Sequence, residues 1–406
     1  MSVRHLLLAL VLAIAACGQV PQTLPNATHL GSSRLASLNT WYVDGVHGRD
    51  QNDCKSPQSA CRHIRQAMTL SGPGDSIMVA PAVYLENLRM PHSLNIVGAG
   101  AATTILDGRQ FGQTIISGHA TSIVNISGVT LRNGGAGIDG GAIYNCTSTL
   151  TVTDSILTGN HVRGSTNFYG YGGAIYNCPT AHLTIVNSTI RDNTAEAGGA
   201  ICNGGILTII NSTFNGNMAR RYRGGGIFNY GTLIITNSTF AGNRAPNGIG
   251  GAIDNGQLFG SPGTVVISSS TLTLNTAGDQ KGGGINNLTG GSVTLRNTIV
   301  SRNAGNNCSG IISSAGYNLS SDGTCDLQST GDLNNTNPRL SQLLDNGGPT
   351  KTIVLLPGSP AIDAGNPNGC TDAQGQLLTT DQRGEQRPDG EDSGGCDMGA
   401  YEREGD

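Results

Sequence analysis

The central part of the chain alternates aliphatic and polar residues, and a period of two predicts β-strands. In the segment LTIVNSTIRDN (183–193), Leu183 and Ile185 fall on one side of a strand and Thr184 falls on the other. A polar turn then interrupts the alternation, and a second short strand carries Ile190. Variants of this segment recur along the chain, at 124–133, 150–160, 207–217, 233–243, 265–275 and 293–303.

A hexapeptide that begins with two glycines lies between these segments and predicts a third strand. It reads GGAIYN at Gly140–Asn145, and its copies begin at residues 172, 198, 224, 250 and 282. Their central isoleucines are 32, 26, 26, 26 and 32 residues apart. These isoleucines are Ile143, Ile175, Ile201, Ile227, Ile253 and Ile285. A recurrent period of this size is typical of a solenoid.

Three short strands per period predict one coil of a right-handed parallel β-helix. A helical solenoid requires a period of about 3.6, which these segments lack. An antiparallel sandwich requires hairpin turns between adjacent strands and does not impose a constant period. We therefore predict an all-β solenoid with a short N-terminal capping helix, in which each Gly-Gly pair permits a tight corner with positive φ.

Two sets of asparagines recur at equivalent positions, and we expect both to form side-chain ladders between coils, which satisfy turn backbone groups that no strand pairs. One set closes the hexapeptides: Asn145, Asn177, Asn203, Asn229, Asn255 and Asn287. The other set stands at the turn inside the two-strand segment: Asn187, Asn211, Asn237 and Asn297.

Composition narrows the class of protein mainly by exclusion. The chain has 406 residues, of which 61 are glycine and 12% are charged, and its net charge is −4. The steady alternation of aliphatic and polar residues excludes a disordered tract. The small net charge provides no basic face, so we expect no nucleic-acid partner. We expect a monomer.

The N-terminus predicts export and lipidation. Arg4 and His5 precede an apolar run, Leu6–Ala16, that is too short to span a bilayer and has the size of a signal-peptide core. The run ends in a segment that resembles the bacterial lipobox, which implies a lipid on Cys17; an ordinary signal peptide with a chance cysteine is the alternative. Gly18 then implies sorting to the outer membrane or cell surface, facing away from the cytoplasm.

We divide the chain into a signal peptide (1–16), a lipidated tether (17–40), an N-terminal cap with the first coils (41–110), repeat coils (111–305) and a C-terminal cap (306–406). The N-terminal cap has a helix-start signal, Ser before Pro, within 56–72. Ile64, Ala67 and Met68 fall on one face of that helix and are suited to plugging the open end of the first coil.

The C-terminal region contains a series of short motifs, at Asn337-Pro338, 345–350, 358–365, Asp381–Gly384 with Arg387-Pro388, and 397–402. In this order the motifs resemble the C-terminal region of bacterial surface proteins with a choice-of-anchor Q domain. The resemblance implies a surface protein on a pectin-lyase-like β-helix. We expect Asp381, Arg383 and Arg387 to tie this region together. Separately, the GGAI strands and FNGN or FAGN turns resemble the repeats of polymorphic outer-membrane adhesins.

Ten cysteines fit an oxidising compartment. Cys146 and Cys178 follow equivalent asparagines in adjacent coils, so stacking brings them close enough to bond. Cys202 replaces the tyrosine of the hexapeptide and is expected to be unpaired. Proximity within loops favours three further bonds, Cys54–Cys61, Cys308–Cys325 and Cys370–Cys396. Other connectivities stay open at this point.

An enzyme is the main alternative to a binding protein, because many β-helix proteins are polysaccharide lyases or glycoside hydrolases. A hydrolase needs two or three converging carboxylates, and a lyase needs an Arg or Lys base beside calcium-binding carboxylates. The coils from 124 to 303 hold only Asp139, Asp154, Asp192, Glu196, Asp254 and Asp279. We interpret Asp154 as a ladder residue and Asp254 as a variant of the hexapeptide tyrosine. Asp139, Glu196 and Asp279 precede Gly-Gly corners. We interpret them as solvated loop charges, and a loose line of carboxylates on one edge is the alternative. Catalytic residues are unknown.

Metal ligands are sparse. The eight histidines are scattered, without the spacing of a zinc site. The acidic, glycine-rich stretch DGEDSGGCD (389–397) is a candidate for calcium but lacks the spacing of a known calcium loop. We therefore expect no cofactor, with calcium as the alternative.

The longest gap before a Gly-Gly pair is HVRGSTNFYGY (161–171), and the same edge carries MARRYR (218–223) in the next-but-one coil. Aromatic rings beside guanidinium groups suit glycans or acidic partners. The candidate ligand site comprises Phe168, Tyr169, Tyr171, Arg220, Arg221, Tyr222 and Arg223. An exposed loop with incidental aromatic residues is the alternative.

These patterns favour a surface-anchored β-helix lipoprotein that acts without catalysis, as an adhesin or envelope scaffold. Its partners would be a glycan or a surface protein, and the membrane through the N-terminal lipid. The alternative function is a polysaccharide lyase or glycoside hydrolase on the same fold.

Overall fold

The computed structural model describes residues 38–110, 112–117, 122–164, 169–258, 260–390 and 395–405. The predicted signal peptide, Cys17 and nearly all of the tether lie outside these residues, as does Phe168. No helix among the described residues is long and apolar enough to cross a bilayer.

The described chain winds into a right-handed parallel β-helix, as the period predicted. Its first parallel sheet, sheet A, is formed by Thr40–Val43, Ser76–Val79, Leu94–Gly98, Ile123–Ser127, Thr149–Thr153, His182–Val186, Ile206–Ile210, Thr232–Thr236, Thr264–Ser268, Ser292–Arg296 and Ser313–Ser314. Sheet B is formed by Ala82–Tyr84, Thr104–Asp107, Thr130–Arg132, Ile156–Thr158, Thr189–Arg191, Thr213–Asn215, Thr239–Ala241, Thr271–Thr273, Ile299–Ser301 and Leu319–Ser320.

The hexapeptide strands form sheet C, which also gains strands at both ends that the repeat did not reveal. Sheet C is formed by Leu88–Arg89, Ile115–Ser117, Ile143–Asn145, Ile175–Asn177, Ile201–Asn203, Ile227–Asn229, Ile253–Asn255, Ile285–Asn287 and Cys308–Ser309. A short sheet D, which was not predicted, lies between sheets B and C in six successive coils. Sheet D is formed by Gly135–Ala136, His161–Val162, Thr194–Ala195, Met218–Ala219, Arg244–Ala245 and Thr276–Ala277.

The register between coils is the one that the hexapeptides predicted. Ile201 pairs with Ile175 on one side and with Ile227 on the other, and all three side chains are buried. The first glycine of each pair has the predicted positive φ, 62° at Gly198. A Cβ on the second glycine, Gly199, would collide with the carbonyl oxygen of Gly225 in the next coil. Both glycines of the pair are therefore required by the close stacking of the corners.

One of the two predicted asparagine ladders is present. Asn203 receives a hydrogen bond from Asn177 (2.8 Å) and donates one to Asn229 (2.7 Å). A second ladder involves a different set, in which Asn193 donates to the side chain of Asn217 (2.9 Å). This set closes the segments that precede the hexapeptides: Asn160, Asn193, Asn217, Asn243, Asn275, Asn303 and Asn307.

The ladder predicted for the inner-turn asparagines is wrong. Among the described residues, no side-chain hydrogen bond joins Asn187, Asn211 or Asn237 to the next, and their φ angles are 49°, 50° and 45°. Asparagine tolerates this left-handed conformation, which explains its recurrence. The serine after it forms the ladder instead, because the backbone N–H of Ser188 donates to the hydroxyl of Ser212 (3.1 Å). Asp154, for which we predicted the same ladder, has the same positive φ of 48°.

A short helix covers the N-terminal end of the coils. A 3-10 turn, Pro57–Ser59, follows Ser56, and the α-helix extends over Ile64–Leu70. Its buried residues are Ile64, Ala67 and Met68, as the helical periodicity predicted. The carboxylate of Glu86 accepts the first helical N–H groups, from Ile64 (2.9 Å) and Arg65 (3.0 Å).

The C-terminal region packs mainly against the side of the coils, where we had expected an end cap. Residues 308–320 still extend sheets A, B and C, and Leu340–Leu344 then pairs with Thr352–Leu355 as an antiparallel hairpin. We refer to residues 339–390 and 395–405 as the lateral segment. Its Gln382 donates to Thr213 (2.8 Å) and accepts from Thr239 (2.6 Å), two residues on the outer face of sheet B. The lateral segment therefore braces several successive coils.

The core of the lateral segment is a buried ion network. Arg387 is buried and its Nε lies 2.5 Å from Glu402 Oε2. Arg383 pairs with Asp381 (2.8 Å) and covers the ring of Tyr401. Arg387 also donates to Asn237 Oδ1 in the coil (3.1 Å). The three residues expected to tie this region together do so by these contacts.

Four disulfide bonds are present among the described residues: Cys54–Cys61, Cys146–Cys178, Cys308–Cys325 and Cys370–Cys396. Cys146 and Cys178 lie on adjacent coils with their Cα atoms 4.9 Å apart, which is the coil spacing that stacking requires. Cys202 is buried and forms no disulfide in the described part of the chain.

Candidate functional site

The fifth residue of each hexapeptide faces outward from sheet C, because the isoleucine before it and the asparagine after it face inward. These outward residues stack in register as Tyr144, Tyr176, Cys202, Phe228, Asp254 and Asn286. The rings of Tyr144 and Tyr176 are stacked, with centroids 5.8 Å apart. Sheet C therefore presents an outward column along the axis of the β-helix, and three of its six residues are aromatic; we call it the aromatic column.

A second column is formed by the residue before each Gly-Gly pair. Tyr171 pairs with Asp139 on one side and with Ala197 on the other, and Arg223 pairs with Ile249 further along. The acidic line that we considered at this edge is absent, because only Asp139 directly precedes its glycine pair. Glu196 stands one residue earlier in its coil and Asp279 stands two residues earlier.

Small residues in one coil open a cavity between these two columns. Ala197 and Cys202 occupy the coil between those of Tyr171 and Phe228, whose ring centroids lie 6.4 Å apart. The cavity has a volume of about 210 Å³. Its lining consists of Tyr169, Tyr171, Ala197, Tyr222, Arg223, Phe228, Gln257 and Leu258. We call the aromatic column and this cavity the sheet C groove.

The structure brings together four of the seven residues predicted for a ligand site. Tyr169 and Tyr222 come from coils two apart, as predicted, and their rings meet edge to face at 4.7 Å. Tyr171 and Arg223 complete this side of the cavity. Together they form the wall on the sheet D side of the groove.

The other predicted residues lie elsewhere. Arg221 does not line the cavity and pairs with Glu196 (Nε–Oε1 3.8 Å). Arg220 is exposed. Burial lowers the pKa of His161, and the charges of Arg163 and Arg220 act in the same direction. Phe168 lies outside the described residues.

Sequence reasoning missed the floor of the groove. Phe228 occupies the outward position of its hexapeptide, and the guanidinium carbon of Arg223 lies 5.2 Å from the centre of its ring. Asp254 lies beside this pair, with its Oδ2 3.7 Å from Arg223 Nε. The outward column of hexapeptide positions was the available signal, because Phe228 and Asp254 share the register of Tyr144 and Tyr176.

Asp254 is a fully buried carboxyl group. Its Oδ1 accepts a hydrogen bond from Asn286 Nδ2 (2.6 Å), whereas its Oδ2 has no hydrogen-bond partner among the described residues. Burial raises the pKa of Asp254 to about 6, although Arg223 and Asn286 act in the opposite direction. The group is therefore mainly ionised at neutral pH, as the partner of Arg223, and is out of reach of a ligand in the cavity.

Asp139 is not the solvated charge that we had expected. Burial raises its pKa to about 6, and one of its carboxylate oxygens, Oδ1, has no hydrogen-bond partner within the described part of the chain. Burial raises the pKa values of Tyr171, Tyr176 and Cys202, and the charge of Asp139 adds to each shift, so Asp139 lies near the sheet C groove. Perturbed carboxyl groups beside a cleft are candidates for acid–base work.

Two tyrosines on the sheet A side of the groove are linked through their hydroxyls. The oxygens of Tyr176 and Tyr230 lie 3.1 Å apart. Burial raises the pKa of both phenols well above the usual range. Both therefore stay neutral at physiological pH and serve as hydrogen-bonding groups rather than as bases.

The described residues contain no cluster of three His, Cys, Asp or Glu side chains arranged to hold a metal ion. In the calcium candidate at 389–397, Glu391 and Asp392 lie outside the described residues. Both carboxylate oxygens of Asp397 accept backbone N–H groups, from Asp363 (2.8 Å) and Arg403 (2.7 Å). Calcium binding at this stretch therefore stays a prediction.

Two solved lyase structures are similar to this chain in fold. A pectate lyase, Pel9A, aligns with a TM-score of 0.51 and 14% identity over 90% of this chain and 96% of that chain. A rhamnogalacturonan lyase aligns with a TM-score of 0.46 and 12% identity, over 79% of this chain and 96% of that chain. The likeness to the pectate lyase shows the fold alone, which is a pectin-lyase-like parallel β-helix.

No protein-family model matches the chain, and no curated protein matches it. The resemblance to choice-of-anchor Q proteins and to polymorphic adhesins therefore rests on the sequence motifs alone.

Proposed function

We propose that the protein binds an extracellular polysaccharide along the sheet C groove. The observation that carries this proposal is the cavity that Tyr169, Tyr222 and Phe228 line together with Arg223, whose guanidinium lies over the Phe228 ring. Aromatic faces pack against the apolar faces of sugar rings, and a guanidinium donates to their oxygens. The stacked Tyr144 and Tyr176 continue the aromatic surface along the axis, so an extended chain has more than one ring to contact.

A glycan array probed with residues 38–406 tests this proposal. We expect the wild-type protein to select one polysaccharide class and the variant Tyr222→Ala with Arg223→Ala to lose that signal. Arg244→Ala is a matched control, because Arg244 is exposed on the same edge but does not line the cavity. A signal that is equal in both groove and control variants would rule out the sheet C groove as the binding site.

Cleavage of the bound polysaccharide is the second candidate, and Asp139 is the observation that favours it. A carboxyl group with a pKa of about 6 can hold or accept a proton near neutral pH. Glycoside hydrolysis needs a second carboxylate, and Asp254 is buried while Glu196 is engaged with Arg221. Chromatography of products from the selected polysaccharide distinguishes the two candidates. Products from the wild type but not from Asp139→Asn would show catalysis. Intact polysaccharide after incubation with either protein would leave binding as the one remaining candidate function.

We further infer that the protein acts at the cell surface as a lipoprotein, in an adhesin or scaffold role like that of the choice-of-anchor Q proteins it resembles. The four disulfide bonds support an oxidising compartment. Mass spectrometry of the membrane fraction should find a lipid on Cys17, and Cys17→Ser should release the protein. Full retention of Cys17→Ser in that fraction would argue against a lipid anchor.

A further inference from the structure

The guanidinium of Arg223 is enclosed on three sides. The ring of Phe228 lies 5.2 Å from its central carbon, and Asp254 Oδ2 lies 3.7 Å from its Nε. On the third side stands Gly256, where an added Cβ would lie 2.8 Å from an Arg223 nitrogen. The same Cβ would lie 2.8 Å from Asp254 Oδ2 and from the Phe228 ring. The absence of a side chain at residue 256 is therefore what allows these three groups to meet.

Asp254 is itself held in one position. It is 0% exposed, and Asn286 of the next coil donates to its Oδ1 at 2.6 Å. Its Oδ2 faces Arg223 and has no hydrogen bond from any other described residue. A buried carboxylate with one oxygen reserved for a guanidinium restricts where that guanidinium can lie.

We propose that Asp254 is a positioning residue of the sheet C groove, which holds the Arg223 guanidinium against Phe228 so that its remaining N–H groups stay directed at a bound sugar. This inference rests on the proposed function for its ligand, but the placement of Arg223 is testable without one. The side chain of Arg223 is 30% exposed and lines the cavity, whereas that of Asp254 is 0% exposed. Asp254 therefore acts through Arg223 and not by contact with the ligand.

The test measures Arg223 in the ligand-free protein. The Nε–H signal of Arg223 is followed by ¹⁵N NMR, and the reaction of Arg223 with phenylglyoxal is followed by peptide mass spectrometry. In the wild type we expect a resolved, slowly exchanging Nε–H and slow modification. In Asp254→Asn and in Gly256→Ala we expect the signal to be lost to exchange and the modification rate to rise several-fold.

Gly137→Ala is the matched control for Gly256→Ala, because a Cβ at residue 137 meets no atom within 4 Å. It should leave Arg223 unchanged. Circular dichroism and unfolding curves establish that each variant is folded. Equal exchange and equal modification of Arg223 in the wild type and in folded Asp254→Asn would overturn the proposal.

The pH dependence of the Arg223 Nε–H signal separates positioning by the Asp254 charge from a purely structural role of Asp254, because a structural role would not change the signal with pH. The one charged group among the described residues that shifts the pKa of Asp254 is Arg223. The wild-type Nε–H should therefore broaden as the pH falls through the pKa of Asp254, while Asp254→Asn shows no such step. A wild-type signal that is constant across this range would also contradict the proposal.

The last measurement is the Kd of the wild type and of Asp254→Asn for the glycan that the array selects. Asp254→Asn should raise the Kd about tenfold, although it leaves every residue that lines the cavity in place. If the array selects no glycan, the proposed function fails while the NMR and modification results still decide whether Asp254 positions Arg223. If a glycan binds equally to the wild type and Asp254→Asn, the role in binding fails.

Discussion

Phe214 and Phe240 stack face to face inside the β-helix, with ring centroids 4.6 Å apart and planes 8° from parallel. They are register partners on adjacent strands of sheet B, and both are fully buried. The other coils place an aliphatic residue at this position, such as Ile190 before the pair and Leu272 after it. The two phenylalanines therefore form the widest part of this side of the core.

Removing one of these rings should leave a cavity between coils. We expect Phe240→Ala to lower the free energy of unfolding by about 3–5 kcal/mol, because the neighbouring strands cannot close the gap. Urea unfolding followed by circular dichroism measures this change. Phe240→Leu is the control and should cost much less, since leucine already fills the same position in the next coil. A loss below about 1 kcal/mol for Phe240→Ala would contradict this packing.

The two sets of asparagines should respond differently to substitution. Asn203 is fully buried and bonds to Asn177 and Asn229, so Asn203→Ala leaves unpaired groups on both sides and should cost about 2 kcal/mol or more. Asn187 has a φ of 49° and forms no ladder, so Asn187→Gly should change stability by less than about 1 kcal/mol. Unfolding curves of the two variants make the comparison. Equal losses would mean that both positions serve the same purpose.

The lateral segment should depend on Arg387. This buried guanidinium pairs with the carboxylate of Glu402. The same carboxylate accepts a hydrogen bond from the backbone N–H of Asp397 (3.2 Å). Arg387→Met removes the positive partner and should cost about 3–5 kcal/mol, because buried carboxylates then lack compensation. Limited proteolysis should also show earlier cleavage after residue 339.

The double variant Arg387→Met with Glu402→Gln is the check on that explanation. Removing both charges should recover part of the loss, because no uncompensated carboxylate remains at residue 402. A double variant that is less stable than the sum of the single variants would indicate that shape, and not charge, holds the lateral segment in place.

Stability should decrease between mildly acidic and mildly alkaline pH. Burial raises the pKa of Asp397 to about 7, with the charge of Glu402 adding to the effect, and raises the pKa values of Asp139 and Asp254 to about 6. Each folded-state pKa lies above the unfolded value of about 4, so the folded protein binds more protons between these values. The stabilisation is complete below about pH 4 and is lost as the pH rises through 6 to 7.

Unfolding in urea at about pH 5 and at about pH 8 measures this dependence, and the free energy should be larger at the lower pH. Between these two pH values, Asp254→Asn should reduce the difference in unfolding free energy by roughly 1–1.5 kcal/mol, because at pH 5 only about one of the two shifted pKa units still contributes. Stability that rises over this range would mean that these carboxyl groups are solvated in the folded protein.

Ligand binding should depend on the space above Ala197. Ala197→Leu fills the cavity without removing any aromatic ring, and we expect it to weaken binding of the array-selected glycan about tenfold. Thr276→Leu lies on the same edge outside the cavity and should bind like the wild type. Unchanged affinity in Ala197→Leu would place the ligand elsewhere.

The coils could be predicted because each coil repeats the same local rules. Alternation of aliphatic and polar residues, the Gly-Gly corner and the constant step between isoleucines such as Ile201 and Ile227 all indicate the same register. Stacking also brings residues from equivalent positions together, which explains why Tyr169 and Tyr222 could be paired across two coils.

Three features could not be predicted from local rules. Local rules do not show which outer face of the β-helix carries a groove, so Phe228 and Asp254 were missed as its floor. The inner-turn asparagines recur for their backbone conformation, and the repeat itself does not distinguish that cause from a ladder. The side of the coils on which the lateral segment packs depends on contacts such as Gln382 with Thr213, which are 169 residues apart.

The sequence alone determined the solenoid and the register of its coils, because in a stack both follow from neighbours one period away. It also predicted the capping helix from its apolar face and the cysteine pairs from stacking or from proximity within loops. Only the tertiary structure decided that Arg223 lies between Phe228 and Asp254, and that the lateral segment covers sheet B. Those arrangements depend on the volumes that Ala197, Cys202 and Gly256 leave empty and on charges buried between distant segments. Neither free volume nor burial is encoded in a repeat.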